Sequence, residues 1–283
     1  MEYDSELLED KEIDQNEILF ISDIEHFTSK IKKSLIDDIK KKNFKAVVLI
    51  GDILSGFSTL DSSYKIFQES QTAFEMFYDV KKIKKKYSKK KIDEYDLARY
   101  YVGNDVSEKL SKEYSEELKY FKSFMNDCFK MGIPVVLFSG NHDSLFSWSN
   151  LYNERFIPIL SEIHSLKGLR IPHNFEIIKL KKDLYLTGIH TDDDSGIYEF
   201  PLIKGMIEKL DNEIKNPEKT IFVSHIPGVK MFSKLGSQDI SNLKKRFKFK
   251  YPYHGHCKDY HGEYEEDGTP TISVHIRKEE NEL

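Results

Sequence analysis

Short apolar runs closed by polar residues recur along the chain. ILFIS leads into Asp23, AVVLI into Gly51-Asp52, and PVVLFS into Gly140-Asn141-His142-Asp143. LYLTGI leads into His190, TIFVS into His225, and the short segment YPY into His254-Gly255-His256. Such runs read as buried strands. The pattern predicts strands at 17–22, 46–51, 134–139, 175–180, 184–189, 220–224, 251–254 and 271–276, with helices near 28–42, 203–214 and 237–247. Between the second and third strands, residues 58–130 are polar and helical in period. Tyr64, Phe67, Phe74, Phe77 and Tyr78 share one helical stripe. Leu110, Tyr114, Leu118, Phe121, Phe124, Met125 and Phe129 share a second, which stops at Gly132 and crosses over into PVVLFS. The first stripe, with the lysine-rich link after it, reads as an insertion or cap at one sheet edge. Strands that alternate with helices and then become strand-rich favour a mixed-sheet α/β layer structure over a barrel. No repeat or Pro/Gly/Ser tract divides the chain. It is read as one domain over 1–283, with a helical insertion at 58–127.

Composition adds boundaries rather than chemistry. A chain of 283 residues can bury a large core, and 39% hydrophobic against 32% charged residues describes a soluble globular protein with charged helix surfaces. Lysine and arginine number 43 against 48 acids, a net charge of −5, so no global field draws it onto nucleic acid. Cys128 and Cys257 lie far apart and suggest a reducing compartment. The acidic start MEYDSELLEDKE lacks the apolar stretch of a signal peptide, and no segment approaches the roughly 18 apolar residues of a membrane span. A cytoplasmic location without membrane partners is expected.

Open α/β sheets place their chemistry at the carboxyl ends of strands, where these ligand-type residues fall. Two cations doing phosphate chemistry need a carboxylate to bridge them, and Asp52 suits that role at a strand end released by Gly51. Asn141, His225 and His256 offer one amide oxygen and two imidazole nitrogens to one ion, a set that suits Mn, Fe, Zn or Co. His142, beside the carboxylate of Asp143, is placed to protonate a leaving alkoxide as general acid, with a metal-bound hydroxide as nucleophile. A lone strand-end histidine or Gly-Asp pair is commonplace. A strand followed by Gly, Asn, His and Asp in that order has few structural explanations, and it anchors the rest.

The series SDIE, GD, SGNHD, SH and HGHCK resembles the calcineurin-like metallophosphoesterase superfamily, whose pattern runs D-x-H, G-D, G-N-H-D/E, H, G-H-x-H, over about residues 17–276. The resemblance implies a four-layer α/β/β/α sandwich of two mixed β-sheets with a two-metal centre at one edge. It also implies hydrolysis of phosphate monoesters or diesters. Carried over, Asp52 bridges the metals, Asn141, His225 and His256 hold the second, Asp23 holds the first, and His142 with Asp143 serves the leaving group. Divalent ions, manganese first and iron, zinc or cobalt after it, are expected at one or two per chain.

Two departures fall on the first metal: Glu25 replaces the histidine of D-x-H, and Lys258 replaces the last histidine of G-H-x-H. A protonated lysine has no lone pair to ligate with. Its ammonium, paired with Asp23 and Glu25, can stand in for the cation that otherwise keeps Asp23, Glu25 and Asp52 from repelling one another. Alternatively, Asp23, Glu25 and Asp52 retain an ion, with nitrogen from His26 or His261. Both readings stand at this point. His190 and His254 are candidate substrate contacts, each with a structural role as the alternative. The run 81–91, KKIKKKYSKKK, could steer a polyanion, with Tyr87 as a stacking face, but lysine is abundant everywhere here and a solvated loop explains it better. Gly236-Ser237 could meet a phosphate at a helix start, or simply cap it. Three functions follow. They are a metal-dependent phosphoesterase with a diester preferred, an attenuated binding or regulatory protein on the same fold, and a nuclease. The expected partner is a phosphate-ester substrate, with nucleic acid second.

Overall fold

The computed structural model describes residues 12–24, 27–54, 116–140, 165–190, 216–228, 236–256, 262–266 and 269–274, with residues 163, 211, 212 and 214 singly. The strands are β1 (Ile18–Ile21), β2 (Ala46–Ile50), β3 (Val135–Phe138), β4 (Leu169–Arg170), β5 (Ile178–Lys181), β6 (Leu184–Ile189), β7 (Thr220–Ser224), β8 (Tyr251–His254), β9 (Gly262–Glu266) and β10 (Thr269–Ser273). They form two sheets, β1-β2-β3-β4 and β5-β6-β7-β8-β10-β9. The described helices are α1 (Ser29–Lys42), residues 116–130 (α2) and α3 (Gln238–Phe247).

The side-chain alternation of β2 shows how the layers stack. Val47 and Leu49 enter one core with Leu35, Ile36 and Ile39 of α1 and Phe121, Phe124, Met125 and Cys128 of α2. Ala46, Val48 and Ile50 enter another with Leu186, Ile221, Val223 and Tyr253 of the second sheet. A strand covered on both faces needs apolar residues at every position, which is why AVVLI is a continuous run. A third core sets Phe222 and Phe249 against Ile240, Leu243 and Phe247 of α3. The order is therefore helices, sheet, sheet, helix.

Burial, not charge, fixes α2. Phe121, Phe124 and Cys128 are fully buried, and each large side chain there contributes roughly 1.5–3 kcal/mol. The partly exposed Lys32–Asp127 ion pair at 2.7 Å belongs to a class worth roughly 0.2–1 kcal/mol. Both capped helices begin on a hydroxyl: Thr28 accepts from the Ile31 N–H, and Ser237 from the Ile240 N–H. Capping thus accounts for Ser237.

Four details refine the expected architecture. The second sheet is mixed, but every described pairing in the first is parallel, because its strands are joined by crossovers rather than hairpins. β5 starts at Ile178 rather than 175. The preceding residues are held in a turn by Glu176, which accepts from the His173 N–H and from Arg170, and Phe175 has φ 61°. β10 starts at Thr269 rather than 271. β9, at a sheet edge, lies in the charged stretch GEYEE, where no apolar run marks it. Residues 58–115, where the first helical stripe of an insertion is expected, lie outside the described residues, as does most of the helix expected near 203–214. Among the described residues no helix is long and apolar enough to cross a membrane.

Candidate metal centre

β1, β2, β3, β7 and β8 run parallel within their sheets, and the residues just past β1, β2, β7 and β8 converge. The chain turns sharply as it leaves each strand. Asp23 (φ 56°), Asp52 (φ 53°) and His256 (φ 67°) are left-handed, as is Gly51 (φ 77°). A non-glycine residue held there costs on the order of 1–3 kcal/mol, and such strain persists where surrounding contacts over-determine it.

Those contacts are visible. The Asp23 N–H donates to the Gly51 carbonyl (3.1 Å), tying the end of β1 to that of β2. The Gly255 N–H donates to the His225 carbonyl (3.0 Å), tying β8 to β7. The His256 N–H donates to the Asp23 carboxylate, at 2.9 and 3.2 Å from its two oxygens, tying one sheet to the other. Glycines make the approach possible. A Cβ on Gly51 would lie 2.5 Å from the Gly140 Cα and 2.8 Å from the His225 ring, and one on Gly140 would lie 2.3 Å from Asp52 Oδ1.

Asp52, His225 and His256 offer three ligand atoms within 4.8 Å of one another. His225 is fully buried. Its Nδ1–H donates to the Ile50 carbonyl (2.9 Å), which turns Nε2 toward the cluster, 3.0 Å from Asp52 Oδ2 and 3.2 Å from His256 Nδ1. Fixing the tautomer through the second nitrogen is how ligating imidazoles are usually oriented. Ligand bonds of about 2.1 Å place neighbouring donors about 3.0–3.4 Å apart, so the spacing and the N/O donor set both fit a divalent transition ion.

The charges of the cluster point the same way. Burial opposes protonation of His225, but Asp52, through its charge and its hydrogen bond, overcomes this and pushes the ring up to about 10. Burial raises Asp23, and the nearby Asp52 charge adds to it while His225 opposes it. A proton shared by His225 therefore does the neutralising that a cation would do. Native His225 keeps this proton above the ordinary pH 6.5 at which an unfolded chain releases it. Its stabilisation is complete below pH 6.5 and is lost as pH rises toward 10, with a slope of at most about 1.4 kcal/mol per pH unit. Denaturation midpoints in chelator at pH 6, 8 and 10 should fall in that order. A flat series would show that the ring is neutral.

Ser22 escaped the sequence reading. Its hydroxyl donates to the Ile50 carbonyl (2.7 Å) that also accepts from His225, and lies 3.3 Å from His225 Nδ1. Only its position beside Asp23 hinted at such a role.

His190 is not brought to the cluster. Its Nδ1 accepts from the Ser139 N–H (2.9 Å), and its Nε2–H donates to the Pro172 carbonyl (2.6 Å), so the buried ring braces the end of β3 and leaves no nitrogen for a substrate. His254 is also fully buried, with Nδ1–H donating to the Gly255 carbonyl (2.7 Å). Burial first, and the nearby Lys244 ammonium second, hold it down to about 3, so the ring is neutral. Gly255, which accepts from it, is the residue before His256 in the chain, and His254 is not among the three clustered side chains. Glu25, Asn141, His142, Asp143 and Lys258 lie outside the described residues.

A family model for calcineurin-like phosphoesterase matches residues 17–257. One solved structure matches with a TM-score of 0.51 at 13% identity, covering 90% of this chain and 88% of its own. The crystal structure of TT1561 of Thermus thermophilus matches with a TM-score of 0.47 at 12% identity, covering 90% and 87%. No curated protein matches. At 13% identity the first of these structures speaks for the fold alone.

Proposed function

This chain belongs to the calcineurin-like phosphoesterase family, and we propose that it hydrolyses phosphodiesters at a divalent-metal centre built on Asp52, His225 and His256. The convergence of those three ligand atoms from both sheets carries the reading. A cation held there supplies positive charge to the phosphoryl group and acidifies an attacking water. The chain does the rest. His225 presents Nε2 because Ile50 holds its other nitrogen, and His256 presents Nδ1. Asn141, one residue past Gly140, adds its amide oxygen. His142, with Asp143 next in sequence, passes a proton to the leaving oxygen as general acid.

Asp23 and Glu25 hold a second ion less tightly, because Glu25 and Lys258 stand where the family pattern has histidines. Manganese suits that oxygen-rich half. Three carboxylates, Asp23, Glu25 and Asp52, also disfavour a dianionic monoester more than a monoanionic diester, which supports the diester preference. The test is to strip the chain, reload it with Mn, count metal by elemental analysis, and compare bis(p-nitrophenyl) phosphate with p-nitrophenyl phosphate. At least one Mn per chain and faster diester turnover are expected. Failure to retain Mn would remove the metal reading, and a monoester preference would remove the diester one.

A further inference from the structure

A lysine is buried in the apolar stripe of α3. Ile240, Leu243, Lys244 and Phe247 fall at helical spacing on the covered face, and Lys244 is 2% exposed. Burying an ammonium costs several kcal/mol unless partners answer it. The sheet face beneath α3 carries polar groups. Ser224 on β7 and Ser273 on β10 are both in register with His254 on β8, so the three form a row across parallel strands. Phe222, two residues before Ser224, packs in the core that α3 covers, which puts this row on the face toward Lys244. Ser224, His254, Thr271 and Ser273 are all fully buried.

His254 connects this polar layer to the metal centre. Its Nδ1–H is spent on the Gly255 carbonyl, and Lys244, on the buried face of α3, belongs to the helix that covers the sheet face carrying the ring. The Gly255 N–H meanwhile holds the His225 carbonyl, and the next residue is His256. The two backbone groups of Gly255 are therefore held from opposite sides, one by a ligand residue and one by the buried polar layer.

We propose that Lys244 is a positioning residue for the metal centre, anchoring His254 so that the Gly255 carbonyl, and with it His256, keeps its ligating place. The inference rests on Asp52, His225 and His256 being the metal ligands. Its test is a Co²⁺ titration of the full chain read by visible d–d absorption, together with amide exchange at Gly255 and His256 in the metal-free protein. Lys244→Met should bind Co²⁺ about ten- to a hundredfold more weakly, the range typical of lost outer-shell partners, with an altered absorption band. The two amides should exchange faster in this variant without metal. Leu243→Ala, on the same helix face, should lower the melting temperature yet leave both the Co²⁺ affinity and the band as they are. Should Lys244→Met fail to fold, Lys244→Gln, which keeps a neutral donor, allows the same comparison. Wild-type affinity and band in the lysine variant, or an equal loss in Leu243→Ala, would overturn the positioning role. A wild-type chain that binds no Co²⁺ would overturn the metal reading as well, whereas slow exchange at the two amides in the lysine variant would overturn this inference alone.

Discussion

Replacing Asp52 with Asn should leave a folded protein that no longer retains its metal ion. The substitution keeps the side chain's shape where shape is critical, since Asp52 is 2% exposed and Oδ1 occupies the space left by the missing Cβ of Gly140. What it removes is the charge. The Asp52 carboxylate is 3.0 Å from His225 Nε2 and is the strongest influence raising that ring against its burial. In the metal-free variant His225 therefore loses the largest influence that holds its proton, with Asp23 and the Ile50 carbonyl left to oppose its burial. A buried charge pair is exchanged for a neutral hydrogen-bonded one, which is often close to neutral for stability. The metal loses an anionic ligand outright, so its affinity should fall by more than the roughly 10–100-fold cost of losing an outer-shell partner. Melting temperatures with and without Mn²⁺ separate the effects, because a ligand that binds only the native state stabilises it by mass action. The wild type should gain stability with Mn²⁺ and the variant should gain none, with turnover lost in parallel. An equal Mn²⁺-induced shift in both would place the ion elsewhere.

The candidate cluster was legible in part because a polar side chain at the end of a doubly covered parallel strand leaves a local signature. AVVLI-GD, TIFVS-H and YPYH-GH each join an apolar segment to a side chain able to ligate, and in the structure Asp52, His225 and His256 lie together. The same logic made β2, β6, β7 and β8 readable to within a residue. It fails for β9, where an edge strand needs no apolar run, and for the two-residue β4. It also fails for supporting groups whose role is tertiary. Ser22 is one more serine until the Ile50 carbonyl is seen to be shared with His225. For His190 and His254 the sequence offered a substrate contact or a structural role, and only the structure supplies their partners, Ser139 and Pro172 for one and the Gly255 carbonyl for the other. Lys244 is hidden among 43 basic residues, most of which need no explanation beyond solubility.

Gly255→Ala should damage this centre although Gly255 offers no ligand atom of its own. A Cβ there would lie 1.8 Å from Ser22 Oγ, 2.7 Å from Ser22 Cβ and 2.6 Å from Asp23 Oδ2, all far inside contact distance. None of these atoms is the loose end of a long side chain. Ser22 is fully buried with its hydroxyl on the Ile50 carbonyl, and Asp23 is held by the His256 N–H. The loop after β8 must therefore withdraw, stretching the Gly255 N–H bond to His225 and carrying His256 away from His225 Nε2. Overpacking of this kind costs roughly 1–3 kcal/mol, and strained backbone hydrogen bonds add about 1 kcal/mol each. A loss of about 2–4 kcal/mol is expected in chemical denaturation, with metal affinity reduced at least about tenfold. A second substitution locates the cause. Ser22→Gly removes two of the three clashing atoms, so the double variant should recover part of the loss, with a coupling of about 1 kcal/mol or more between sites that act independently only when they do not touch. Strict additivity of the two changes, or wild-type stability and metal affinity in Gly255→Ala alone, would mean that the ends of β1 and β8 do not meet as closely as described, and that His256 is held by something other than this contact.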